Sequence, residues 1–162
     1  MAENAASPAQ GEAQAVPLPP GLALADRRSL SAFLAERWPQ ILAAIREAAC
    51  FEVPVEVRWD QIARPGHGDR YGKSEYFSDP IFEPLIAALR DVARDEMGRE
   101  ALRTTLSRIV IRHDPATAPI MDFPEGLAFE GGVLSINWTP GEHPDERAPR
   151  VAALVSLLER SL

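Results

Sequence analysis

The chain is poor in the residues that most often announce a function. It carries one cysteine, Cys50. That excludes an intrachain disulfide and a multi-cysteine zinc site. Cys50 ends an apolar helical pattern, so the expectation is a buried structural thiol rather than a nucleophile. The three histidines, His67, His113 and His143, fall in no H-E-x-x-H or comparable helical spacing. The H-x-D matches at 67–69 and 143–145 are too short to indicate a metal. The reading is therefore no metal and no cofactor. No apolar run approaches the roughly 20 residues that span a bilayer. The opening stretch, MAENAASPAQGEAQ, lacks both the basic and the apolar region of a signal peptide. Basic excess is also missing: the net charge is −7. Nonspecific binding to nucleic acid or to an anionic membrane needs the opposite sign. These absences predict a cytoplasmic protein without nucleic-acid or membrane partners. Lys73 is the only lysine, which we read as compositional habit.

Two chemical motifs are missing on inspection. GHGDRYGKS resembles a phosphate loop, but the required glycine five positions before Gly72 is His67. No G-x-S-x-G elbow supports a Ser-His-Asp set.

What is present is a clear folding pattern. Residues 1–21 are rich in Ala, Pro, Gln and Glu and read as a disordered leader; residues 22–162 read as one domain. Asp26 or Ser29 is the expected cap of a first helix. Its stripe, from Leu30 through Ile45, is interrupted by Pro39, which predicts a kink or two helices. Val53, Val55, Val57 and Trp59 alternate with polar residues and Pro54. This predicts a half-buried edge strand, because proline cannot donate to a ladder.

Residues 78–113 are the organising unit. Leu85, Ile86, Leu89, Val92, Ala93 and Met97 form one helical stripe. Pro80 and Pro84 are compatible with this only if a separate turn at 79–82 precedes a helix from Glu83. Gly98 is the expected stop, with a further helical turn or two over Arg99–Thr105. Ile109, Val110 and Ile111 predict a central strand. Later, GLAFE-GG-VLSINW predicts a hairpin closed at Gly131-Gly132. A two-residue turn of this kind needs positive φ at both positions. It pairs Glu130 with Val133, Phe129 with Leu134 and Leu127 with Ile136, placing all the apolar residues on one face. A last helix is predicted over Arg150–Leu162. The fold class is α+β: roughly four strands, mostly antiparallel, with helices packed on one face.

Two stretches are candidates for function. Between Asp122 and Glu146 there are six carboxylates and no lysine or arginine. Glu125, Glu130, Glu142, Asp145 and Glu146 are the candidate partner-binding residues. Their field would steer a basic protein, unless the Arg-rich stretch 99–112 folds over them. The second candidate is the polar, Gly-rich loop 64–78, since loops of that length in a compact domain are often functional. Arg64, His67, Asp69, Arg70, Tyr71 and Lys73, together with His113, could cradle an anion or serve a small enzyme. The leading expectation is a noncatalytic domain that binds a basic protein partner, in the manner of an immunity or antitoxin-type protein, by analogy of size and charge. The alternative is an enzyme or ligand binder using loop 64–78. A structural component tethered by the leader is a third reading.

Overall fold

The computed structural model describes residues 18–162; of the leader expected over residues 1–21, residues 1–17 lie outside the described residues. The chain runs α1 (Leu24–Glu36), α2 (Trp38–Ala49), β1 (Val55–Val57), a short α3 (Trp59–Ile62), α4 (Glu83–Val92), α5 (Glu96–Thr105), β2 (Arg108–Arg112), β3 (Leu127–Glu130), β4 (Val133–Asn137) and α6 (Arg147–Ser161).

Proline places several boundaries. α1 ends at Glu36, and Pro39 occupies the first turn of α2, where its missing N–H loses no bond. Ser78–Phe82 forms a single π-type turn carrying Pro80, and α4 begins at Glu83 with Pro84 in its first turn. β1 begins directly after Pro54, whose carbonyl accepts the Ile109 amide at 2.9 Å.

The four strands lie in the order β1-β2-β4-β3. β1 pairs with β2 in parallel, and β2 with β4 in parallel; only the β3–β4 hairpin is antiparallel. The sheet is thus mixed and largely parallel, which corrects the antiparallel expectation. Parallel neighbours need a crossover of a dozen or more residues. The segment between β1 and β2, with α3, α4 and α5, supplies one. Apolar alternation marks a strand's face but not its direction. β2 is central and β1 is at an edge, as their sequences imply. The hairpin has the expected register, with φ of +57° at Gly131 and +81° at Gly132.

One face of the sheet is apolar. The register aligns Val55 and Val57 with Ile109 and Ile111, and these with Leu134 and Ile136. The four residues of β2 and β4 are fully buried. The other face carries Glu56, Arg108, Arg112 and Ser135, with an Arg108–Glu56 ion pair at 3.2 Å. Against the apolar face sits an aromatic cluster. Phe33 lies 4.9 Å from Phe77, and Trp59 lies 5.2 Å from Trp38 and 5.7 Å from Phe77, in the tilted and edge-on contacts that aromatic rings favour.

Three local expectations fail for identifiable reasons. Gly98 does not end the helix. It sits inside α5, where its amide donates to the capping Asp95 at 2.8 Å. A Cβ there would fall 1.7 Å from the Val92 carbonyl oxygen, so glycine permits the tight corner between α4 and α5. Met97 consequently leaves the stripe and is 82 % exposed. α1 starts after Ala23 without a side-chain cap; Asp26 is turned elsewhere. Cys50 is exposed and adopts φ +61° at the C-terminus of α2, a left-handed position that glycine usually fills.

Candidate functional site

The parallel arrangement brings the carboxyl ends of β1, β2 and β4 to one edge of the sheet. The loops that leave them, 58–78, 113–126 and 138–146, therefore share that edge. This is where ligands bind in open α/β sheets. Every candidate residue except Glu130 lies on these loops. Glu130 is at the hairpin turn, at the opposite end of β4 from Glu125 and Glu142.

Loop 58–78 is built from its own side chains. Asp26 of α1 is buried, and its carboxylate accepts the amides of Gly66 at 2.8 Å and Gly68 at 3.0 Å. A Cβ on Gly68 would lie 2.3 Å from Asp26 Oδ1. The Tyr71 hydroxyl donates to the Arg64 carbonyl at 2.5 Å, and that of Tyr76 donates to the Ile62 carbonyl at 3.3 Å while accepting the Arg64 amide. Burial pushes both phenols up, Tyr76 to about 12, so both stay protonated donors at neutral pH. Tyr71 is fully buried and belongs to the core, not to a binding surface. Asp69 and Lys73 are exposed and stand apart.

Two of the candidates, His67 and Arg70, come together. Arg70 lies over the Tyr76 ring, its guanidinium carbon 5.3 Å from the ring centroid. Its Nη1 is 3.4 Å from His67 Nδ1. Gly141 packs beneath it with φ +79°, and a Cβ at that position would lie 2.8 Å from Arg70 Nη2. The Gly141 amide donates to the Tyr76 carbonyl at 3.0 Å, joining the first loop to the third. His113, at the end of β2, has its Nδ1 3.4 Å from Thr139 Oγ1. Burial first, and then the charge of Arg64, hold its pKa below the ordinary histidine range, so it is neutral at pH 7.

The second and third loops are clamped by a residue that sequence reasoning missed. Arg150, in the first turn of α6, is 1 % exposed. Its guanidinium donates to the carbonyls of Pro80 and Glu142, both at 2.9 Å. It sits between the rings of Phe123 and Trp138, 5.2 and 4.9 Å from their centroids. Cation–π contact and charge-assisted bonds to carbonyls offset part of its desolvation, which still lowers its pKa. No periodicity in the sequence distinguishes this arginine from a solvated one.

The acidic residues are left free of partners. Among the described residues no ion pair within 4.0 Å involves Glu125, Glu130, Glu142, Asp145 or Glu146. The Arg-rich stretch does not fold over them. Arg99 pairs with Glu96, Arg103 with Glu100, Arg108 with Glu56, and Arg112 Nε meets Ser135 Oγ at 3.4 Å. The connection between β2 and β3 adds two exposed apolar residues, Ile120 at 83 % and Met121 at 69 %. Their sequence signal is an apolar pair in a proline-bounded polar segment with no periodic neighbours. Next to them, Pro119 packs 3.2 Å from the position of a Cβ on Gly126.

An open groove of about 1180 Å³ lies between α4 and α6, lined by Ala87, Ala148, Val151, Ala152 and Val155 and reaching Asp145. No helix is long and apolar enough to cross a membrane among the described residues. Nor do the described residues hold a group of three or more His, Cys, Asp or Glu placed to bind a metal ion. Comparison of the chain with models of known families, with curated proteins and with solved structures gives no match.

Proposed function

We propose that this protein is a noncatalytic binding domain whose sheet edge docks a basic protein partner. The observation that carries the reading is the pair Ile120 and Met121. Two large apolar side chains, 83 % and 69 % exposed, precede by a few positions Glu125, which makes no ion pair, on a loop joined through the Phe123–Trp138–Arg150 stack to the one that carries Glu142, Asp145 and Glu146. An apolar centre with a charged rim is the usual anatomy of a protein interface. Exposed apolar area on a water-soluble surface costs free energy unless a partner covers it. The loops beneath are held by the Phe123–Trp138–Arg150 stack, so the patch is prepared before binding. Prepared surfaces lose less entropy on association. The carboxylates steer encounter with a cationic surface, and the apolar pair holds the complex. A small acidic protein that neutralises a basic toxin, as immunity proteins do, is the functional class we infer.

The test compares capture from native lysate by wild type, by the double variant Ile120→Ser/Met121→Ser, and by Glu125→Gln/Glu142→Gln/Asp145→Asn/Glu146→Gln. The apolar variant should lose a species that wild type captures. The neutralised variant should bind the same species, but with slower association at low salt. Raising salt from about 10 to about 150 mM, where the Debye length falls from about 30 to about 8 Å, should bring wild type toward the same rate. Retention of every captured species by both variants would overturn the proposal.

A further inference from the structure

We propose that the groove between α4 and α6 receives α6 of a second copy of this chain, in an antiparallel, two-fold symmetric pair. The first observation is the groove itself. It is an open space of about 1180 Å³, lined by Ala87 of α4 and by Ala148, Val151, Ala152 and Val155 of α6. Ala148 and Ala152 are exposed, and the two valines are half-buried. The side chains at a contact set how closely two helices approach, and alanine lets them come near.

The second observation is the order of charges along α6, and it names the occupant. Asp145 and Arg147 bound the groove at the N-terminal end of the helix, and Glu159 and Arg160 bound it at the C-terminal end. At a rise of about 1.5 Å per residue, Arg147 and Glu159 stand about 18 Å apart, too far to meet within one helix. Ala153 lies midway between them, and midway between Val151 and Val155. An antiparallel pair centred at that level brings Arg147 to the level of Glu159 of the second copy. It brings Arg160 to the level of Asp145, and Val151 to that of Val155. Each contact occurs twice, because a two-fold interface is isologous. A parallel pair would set Arg147 against Arg147 and Glu159 against Glu159. The charges therefore favour a second copy and fix its direction. With a net charge of −7, two copies repel in general. This face, however, bears both signs, and Asp91, its remaining carboxylate, already pairs with Arg94 at 3.2 Å.

The third observation is extent. A hollow of about 350 Å³ adjoins the groove, shares Asp91 and Glu159 with it, and is lined by Met97, Ala101 and Leu162. Met97 is 82 % exposed. It stands at the C-terminal end of α6, so the antiparallel pair sets it toward the Ala148 end of the second copy. Its side chain extends the apolar contact beyond α6, toward the roughly 800 Å² per partner that specific interfaces bury.

Sedimentation equilibrium of the whole protein tests this. Wild type should pass reversibly from the mass of one chain to that of two between about 1 μM and about 1 mM, the range of modest affinities. Ala152→Arg, near the two-fold level, should keep the protein monomeric without unfolding it, since Ala152 is exposed and arginine suits a helix. Arg147→Glu and Glu159→Arg should each weaken association by about tenfold or more, because each sets like charges together at both ends of the pair. An equimolar mixture of those two variants should associate again, since every facing pair in the mixed complex then joins opposite signs. The combined variant Arg147→Glu/Glu159→Arg should recover for the same reason. Asp145 belongs also to the acidic rim of the partner patch and is left unchanged. Ile120→Ser/Met121→Ser should associate as wild type does, which separates the two surfaces. Circular dichroism of each variant confirms the fold; if Ala152→Arg does not fold, the charge variants carry the test. A wild type that keeps the mass of one chain throughout would overturn the proposal and leave the groove to another occupant. Weakening without recovery in the mixture would overturn the two-fold pairing.

Discussion

The loops 58–78 and 113–126 look alike in sequence and behave in opposite ways. Both are rich in proline or glycine and both leave a parallel strand at the same edge. The first is tied to a distant helix. Asp26, some forty positions away, holds two of its amides, and Tyr71, Tyr76 and Phe77 are fully buried beneath it. The second is tied mostly to itself. Asp114 bonds Ala116 and Thr117, and Asn137 adds a bond to the Asp114 amide at 2.9 Å. Its large apolar residues Ile120 and Met121 point outward. Gly and Pro content says where a chain turns. Whether the turn is rigid depends on where its anchors sit: in the first loop they are a buried carboxylate and rings along its length, in the second they lie at the two ends, Asn137 at Asp114 and the Trp138–Arg150 stack at Phe123, with Ile120 and Met121 left outward between them.

Removing the remote acceptor should produce the largest effect. Asp26→Ala deletes two charge-assisted bonds, to the amides of exposed Gly66 and buried Gly68, and a loss of roughly 3 kcal/mol is expected from urea unfolding. A loss below about 1 kcal/mol would mean that the aromatic anchors alone hold the first loop. Next comes a contrast within that loop. Gly68→Ala forces a methyl to 2.3 Å from Asp26 Oδ1, whereas nothing lies within 4 Å of a Cβ on Gly72. The first change should lower stability by about 1–3 kcal/mol, as overpacking does, and the second should be nearly silent. Thermal melts of the two proteins decide this; equal melting temperatures would show that the loop moves to accept the methyl. The smallest effect belongs to the second loop. Ile120→Ser/Met121→Ser should change unfolding free energy by less than about 0.5 kcal/mol, since exposed side chains contribute little. A larger loss would show that the pair packs on the domain in solution and is not free for a partner.

Sequence reasoning succeeded where one local rule decides the outcome. The hairpin register follows from Gly131-Gly132 together with the alternation of Phe129, Leu134 and Ile136. Pro39, Pro54 and Pro84 place three boundaries because proline's missing donor leaves few alternatives. The failures are all tertiary. Whether β1 runs with or against β2 depends on how a crossover packs, and no residue in VEV or RIVIR encodes that. Glycine often ends helices, so Gly98 looks like a stop; in the fold it allows a corner that Val92 and Asp95 close. Asp26 and Arg150 give no local signal, since their partners lie on segments far along the chain. For the candidate site, length and polarity drew attention to loops that the structure places at one edge of the sheet. They did not reveal that Tyr71 faces inward, that Glu130 lies at the other end of the hairpin, or that Ile120 and Met121 are exposed.

The strand order also has a kinetic consequence. The hairpin can close within microseconds, as local hairpins do, and it offers β4 as a template. β2 joins it from about twenty-five positions away, and β1 can pair only after some fifty residues with three helices have found their place. β1 is three residues long and is bonded on one side only. It should therefore be the last strand to form and the first to open. Its ladder amides should exchange with solvent well before those at the centre of the sheet. Because Trp59 lies two residues beyond β1, each such opening loosens one wall of the aromatic cluster before the hairpin end of the sheet is disturbed.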